Sequence, residues 1–262
     1  MKIVGDLNNP KIMLVHGAGF YWENCFREII ESLKSSYCIL LPVLPGHSNI
    51  NEEPIKSVEQ VAAMIIKEIK DLRVDNIELA YGISLGASIV LETILCGEVN
   101  IKKVILDGGQ YINMGENIEL FSNIMSKQFI GLLENNHLQK EIRDNMGYDE
   151  NDIEVLKPML FKSISNETLY STFKAAYSYD ITNKNSDKLA TKDISVSFGS
   201  REIYAKDSLN YLENLIKKEL EVEEIKDMGH SEALSKHPEI IIEMIKSRIC
   251  LLYTSPSPRD RG

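Results

Sequence analysis

The chain has 262 residues, 44% of them apolar, which suits one large α/β core and shows no compositional break between two unrelated domains. Its 29 Lys and Arg against 39 Asp and Glu give a net charge of −10, scattered rather than blocked, which argues against a nucleic-acid partner. Four cysteines (Cys25, Cys38, Cys96 and Cys250) show no C-x-x-C or zinc spacing and read as buried free thiols, and no apolar run is long enough to span a bilayer, so a cytoplasmic protein is expected.

Short β-rich apolar runs alternate with longer helical patterns, the signature of βαβ units and a mostly parallel sheet. KIMLVHG, residues 11 to 17, is the first clear buried strand. Phe26, Ile29, Ile30 and Leu33 follow at helical spacing, and YCILLPVLPGH carries a second strand into a Pro/Gly loop. Ser57 and Gln60 form a capping box ahead of a helix face of Val58, Val61, Ile65, Ile69 and Leu72. NIELAYG is the third strand, and SLGASIVLETIL a helix whose small residues permit close approach to the sheet. KKVILDGG is the fourth strand.

From 110 to 192 the alternation stops and the pattern is helical, with Leu120, Ile124, Phe129, Leu132 and Leu133 early and Leu169, Phe173 and Tyr177 late. Such a stretch is too long and too apolar for a loop, and reads as a helical insertion. Strand DISVSFGS resumes the rhythm. A helix with Leu209, Leu212, Leu215 and Ile216 then leads to KELEVEEIKDMGH, whose strand ends at a histidine, and Pro238 opens the last helix. The final LLYTSPSPRDRG, residues 251 to 262, has no face to bury and resembles translated adapter sequence, so it is set apart as a non-native tail.

Gly82-Ile83-Ser84-Leu85-Gly86 is a G-x-S-x-G pattern between a predicted strand and a predicted helix. That context forces the serine into a sharp turn and projects its hydroxyl above the sheet, which makes Ser84 the candidate nucleophile rather than an incidental turn residue. A serine needs a base. His137 reads as a solvated helix residue, His47 as a loop residue, His237 as a helix-start residue, and His16 belongs to the loop HGAG. His230 follows a strand end and stands at the carboxyl edge of the sheet, where ligands bind in open α/β folds, so it is the candidate general base.

The imidazole needs an acceptor. Glu202, just past strand DISVSFGS, is favoured, with Asp107 at the end of VILDGG as the alternative acid, while Asp207 reads as a helix N-cap. Developing oxyanion charge calls for waiting donors, expected from the backbone N–H groups of Leu85 and Ala18. Position 22 is Trp where G-x-G-x-x-G needs glycine, and no G-K-[ST] occurs, so nucleotide binding is not expected.

With strand-HGAG, strand-GISLG, strand-GSRE and strand-MGH in this order, residues 11 to 249 resemble the α/β-hydrolase superfamily. The order of nucleophile, acid and histidine is the order of that fold. The 28-residue interval from Glu202 to His230 and the Gly199 three before the acid are similar to the family's pattern. Glutamate in place of the usual aspartate is a departure, as is LPVLPGHS, which has Val43 where the related loop has an acid and is taken as structural.

The resemblance implies an α/β-hydrolase core of residues 1–109 and 193–250, with 110–192 a helical cap between the sixth and seventh family strands that selects the substrate. It implies a serine hydrolase, carboxylesterase-like, acting on an ester or related acyl bond of a small, largely apolar molecule, without metal or cofactor. The alternatives are another bond (thioester, N-terminal peptide or C–C) or a ligand-binding protein of the same fold with little turnover. The natural substrate and the oligomeric state are left open.

Overall fold

Apolar runs that are bounded by turns and buried on both faces pair most readily as parallel strands covered by helices on either side, and this arrangement organises the molecule. The computed structural model describes residues 1–48, 53–149 and 154–250; the tail at 251–262 and the side chain of Cys250 lie outside them. Seven strands form one sheet in the order β1-β3-β2-β4-β5-β6-β7. They are β1 (Lys2–Val4), β2 (Lys11–Val15), β3 (Cys38–Leu41), β4 (Asn76–Ile83), β5 (Asn100–Asp107), β6 (Asp193–Gly199) and β7 (Glu221–Ile225). β2 to β7 pair parallel, and only β1 pairs antiparallel, with β3. β1 is a three-residue, largely exposed edge strand, too short to show an alternation in the sequence.

Helices α1 (Trp22–Leu33), α2 (Val58–Asp71), α3 (Leu85–Cys96), α8 (Ile203–Ile216), α9 (Glu232–Lys236) and α10 (Pro238–Cys250) flank the sheet. Ser57 Oγ accepts from the N–H of Gln60, whose side-chain oxygen reaches back to the N–H of Lys56, so the expected capping box forms with its return bond one residue earlier. α3 is buried from Leu85 to Leu95, as expected of a helix that is apolar all round. Its approach depends on Gly86: a Cβ there would stand 2.1 Å from the carbonyl oxygen of Val15.

Between β5 and β6 lie α4 (Ile118–Asn135), α5 (Lys140–Asn145), α6 (Asn166–Ser178) and α7 (Asp187–Ala190). α4 and α6 pack through Phe129 and Phe173, edge to face with centroids 4.9 Å apart. The segment is tied to the loop after β2, where Tyr21 N–H donates to Met159 O and Phe161 N–H to Gly19 O, and to α3, where Tyr179 and Lys184 bond the buried Glu92. No described helix is long and apolar enough to cross a membrane.

Several local expectations are corrected. Leu120 is 57% exposed and does not join the apolar face of α4; its neighbour Glu119 is the residue that meets α6, through Tyr170 and Lys174. Cys25 and Cys38 are buried free thiols, but Cys96 at the end of α3 is partly exposed. β7 ends at Ile225 rather than at His230; the left-handed Asp227 breaks the strand. Asp207 is not an N-cap. Glu202 stands just ahead of α8, which begins at Ile203, five residues before Ser208; its carboxylate makes no capping bond to the helix and takes the Gly199 N–H at 2.6 Å instead.

Candidate active site

A strand that must turn into a helix within one residue forces that residue out of ordinary backbone space. Ser84, between β4 and α3, has φ 56° and ψ −123°, a conformation that costs an L-residue about 1–3 kcal/mol and persists only where its surroundings impose it. They do so here: the Ser84 N–H donates to Asp107 O at 2.7 Å, and a Cβ on Gly82 would stand 2.3 Å from Gly86 O. The turn leaves the N–H of Leu85, first in α3, without an intrahelical acceptor.

The loop after β2 comes up against this turn. Its Gly19 N–H is taken by His47 Nε2 at 3.0 Å, and the Ala18 N–H, like that of Leu85, makes no hydrogen bond among the described residues. His47 thus has a role that the sequence did not reveal. Through this bond the loop that carries His47 supports the backbone beside Ala18. His16 does the converse, its Nε2 accepting the Leu44 N–H at 3.4 Å. In both rings Nδ1 donates to a carbonyl, Gly17 O for His16 and Pro45 O for His47, so both are neutral with Nε2 as acceptor.

Burial pushes the pKa of His16 down to about 3 and that of His47 to about 4. Unfolded histidines protonate near about 6.5, so the unfolded chain binds the extra protons. This share of stability is complete above about 6.5 and is lost as pH falls toward the two folded values. We expect unfolding free energy to decline over that range, by up to about 3 kcal/mol from His47 alone. Denaturant titrations at a series of pH values check this, and His47→Gln, which keeps an acceptor, should flatten the slope.

His230 is fixed from three sides. Its N–H donates to Met146 O at 2.8 Å, its carbonyl accepts from the Tyr148 hydroxyl, and the preceding Gly229 N–H is held by Glu232, which also pairs with Arg201 at 3.0 Å. Its Nδ1 lies 2.8 Å from Glu202 Oε2, with Glu202 1% exposed. Nδ1–H donates to the carboxylate, which leaves Nε2 as the acceptor.

Asp107 sits close by without bonding the imidazole. Its carboxyl accepts from the Tyr81 hydroxyl, and burial first, then the charge of Glu202, push its pKa up to about 7. Gly108 follows with φ +56°, and a Cβ on it would stand 3.0 Å from both Glu202 Oε2 and His230 Nδ1. Glycine here leaves room for the pair.

Ser84, His230, Ala18 and Leu85 line a single cavity of about 430 Å³. The insertion contributes Met114, Met125, Phe129, Phe173 and Tyr177 to its wall, and α8 contributes Tyr204 and Asp207. Ser84 Oγ makes no hydrogen bond to His230 among the described residues; such contacts are commonly long in free enzymes and tighten with substrate. Tyr204, Met146 and Tyr148 were not visible as site residues in the sequence. A lone tyrosine at a helix start, and two residues in the middle of an insertion, carry no pattern.

No protein-family model and no curated protein matches the chain. Among solved structures, it is similar to an alpha/beta hydrolase family protein from Desulfitobacterium hafniense, with 39% identity over 94% of this chain and 98% of that one and a TM-score of 0.86. It is also similar in fold to a carboxylesterase from the thaumarchaeon Nitrososphaera gargenis (TM-score 0.78, 14% identity, 96% of this chain and 94% of that one) and to MenH from S. aureus (TM-score 0.73, 14% identity, 95% and 97%). The fold thus agrees with a relative aligned over nearly the whole length of both chains at 39% identity, and the chain belongs to the alpha/beta hydrolase family.

Proposed function

We propose that this protein is a serine hydrolase that cleaves an ester or related acyl bond of a small, largely apolar molecule through an acyl-enzyme. The observation that carries the reading is the strained Ser84 at the strand-to-helix turn in the same cavity as the bonded pair His230–Glu202. Ser84 Oγ attacks the acyl carbon while His230 Nε2 takes its proton, and the carbonyl oxygen gathers charge between the Leu85 and Ala18 N–H groups. Collapse expels the leaving group, which receives the proton from His230. Water then repeats the sequence on the acyl-enzyme, and the carboxylic acid leaves with Ser84 restored. Glu202 accepts from Nδ1–H throughout and stabilises the imidazolium.

In this reading residues 110–192 act as a cap over the site, and their methionines and aromatics set the size and apolarity of the acyl group. Asp207 is a carboxylate on the same wall, and the chain carries −10 overall, so anionic substrates are disfavoured. A fluorophosphonate tests the mechanism directly. Wild-type protein should gain one phosphonyl adduct, mapped to Ser84, and Ser84→Ala none. Folded wild-type protein that stays unlabelled would sink the reading and favour a ligand-binding role.

A further inference from the structure

Beside the bond between His230 and Glu202 stands a hydroxyl that the steps above do not use. Tyr204 is the second residue of α8, and the first turn of that helix brings its phenol back to the carboxylate at the helix start. Its Oη lies 2.9 Å from Glu202 Oε2 and 2.6 Å from His230 Nδ1, and those two atoms are 2.8 Å apart. The three atoms close a triangle that shares two protons, one from the phenol and one from the imidazole.

Two proton arrangements fit this triangle. In one, Nδ1–H and Oη–H both serve Oε2, and Nε2 keeps its lone pair. In the other, Oη–H donates to Nδ1, the imidazole proton sits on Nε2, and Oε2 loses both donors. A carboxylate only accepts, and bonds to an ionised acceptor are about twice as strong as neutral ones. The first arrangement therefore prevails, and it is the one in which Nε2 can take a proton from Ser84. Burial and the charge of Glu202 push the phenol's acidity range far up, so its proton stays in place.

We propose that Tyr204 is a positioning residue, its hydroxyl holding the Glu202 carboxylate in place beside His230 Nδ1 and taking up part of that carboxylate's charge. The proposal takes its catalytic meaning from the serine-hydrolase reading. It also accounts for glutamate where the related loop has aspartate. The extra methylene adds a torsion to fix, and the carboxylate is held at both oxygens, by Gly199 N–H on Oε1 at 2.6 Å and by Tyr204 on Oε2. The other ionisable groups around His230 are Asp107 at the end of β5, Tyr148 on its carbonyl, Asp207 on the shared cavity wall, and Arg201 with Glu232 at Gly229. None of these is altered when Oη alone is removed.

The test is Tyr204→Phe in the full chain. We expect kcat on a small neutral ester to fall about tenfold, in line with loss of one charge-assisted hydrogen bond, with KM changed less than about twofold. The acidic limb of the pH–rate profile should move to higher pH, because the undivided carboxylate charge then favours the imidazolium. A ¹⁵N titration of the His230 ring should report the same displacement, with the Nδ1–H tautomer kept by Glu202, and it needs no turnover. A site-specific difluorotyrosine at 204, a stronger donor of the same shape, should move the limb to lower pH and serves if the phenylalanine variant folds poorly. Ester turnover with an unmoved limb and an unmoved ring titration overturns the role of Tyr204 and leaves the hydrolase reading intact. A displaced ring titration in a protein that cleaves no ester does the opposite.

Discussion

Ser84→Ala is expected to lower kcat by about 10⁵ to 10⁶, the scale at which removal of a serine nucleophile leaves only binding and oxyanion stabilisation. The protein should otherwise be unchanged. Ser84 Oγ makes no hydrogen bond among the described residues, so its removal strands no buried partner, and alanine inherits the same strained backbone. Thermal midpoints of the two proteins should therefore agree. Ser84→Gly separates strain from chemistry: it too is inactive, but glycine accepts φ 56° freely, and its stability should rise by about 1 kcal/mol. Kinetics on a chromogenic ester and denaturant curves check both outcomes. Retention of more than a few per cent of turnover in Ser84→Ala would remove the nucleophile from its role.

Glu202→Gln should cost about 10² to 10⁴ in kcat, while Asp107→Asn should cost less than about tenfold. A glutamine side chain can present N–H to Nδ1, which drives the imidazole proton onto Nε2 and blocks the base. Asp107 does not bond the imidazole, and with its pKa pushed up to about 7 it is only partly charged at neutral pH, a poor counter-ion for an imidazolium. Its raised value has a consequence for stability. Unfolded, the group ionises near about 3.9, so the folded state holds the extra proton between the two values. The stability this provides is complete below the unfolded value and is lost as pH rises through about 7. Asp107→Asn keeps an acceptor for Tyr81 and should thus be more stable than wild type above pH 7, with a ceiling of about 4 kcal/mol. If Asp107→Asn were instead the crippling substitution, the acid would have to be reassigned.

What was legible in the sequence is local. G-x-S-x-G between an apolar strand and an apolar helix has one physical outcome, and Ser84 adopts it. Glu202 and His230 could be chosen because each follows a strand end, and the structure brings them to 2.8 Å. The assignment of Asp207 as an N-cap failed because α8 already begins at Ile203, so Asp207 lies inside the helix. Residue type does not reveal this start, because Glu202 ahead of it makes no side-chain cap. His47 could be placed in a loop, but its acceptor role toward Gly19, 28 residues away, depends on how two loops meet above the sheet. Met146 and Tyr148 reach His230 through contacts of that same long-range kind, and Tyr204, although only two residues from Glu202, meets His230 from 26 residues away.

The two bonds from Met146 and Tyr148 to the main chain of His230 bear on how this architecture could be re-engineered. The stretch that shapes the pocket also clasps the histidine, so it is not a detachable module. A chimera that transplants a foreign segment for 110–192 to change selectivity would also release His230, unless the graft keeps a carbonyl at 146 and a phenol at 148. On the proposed reading, substrate choice and the hold on His230 depend on the same span of chain.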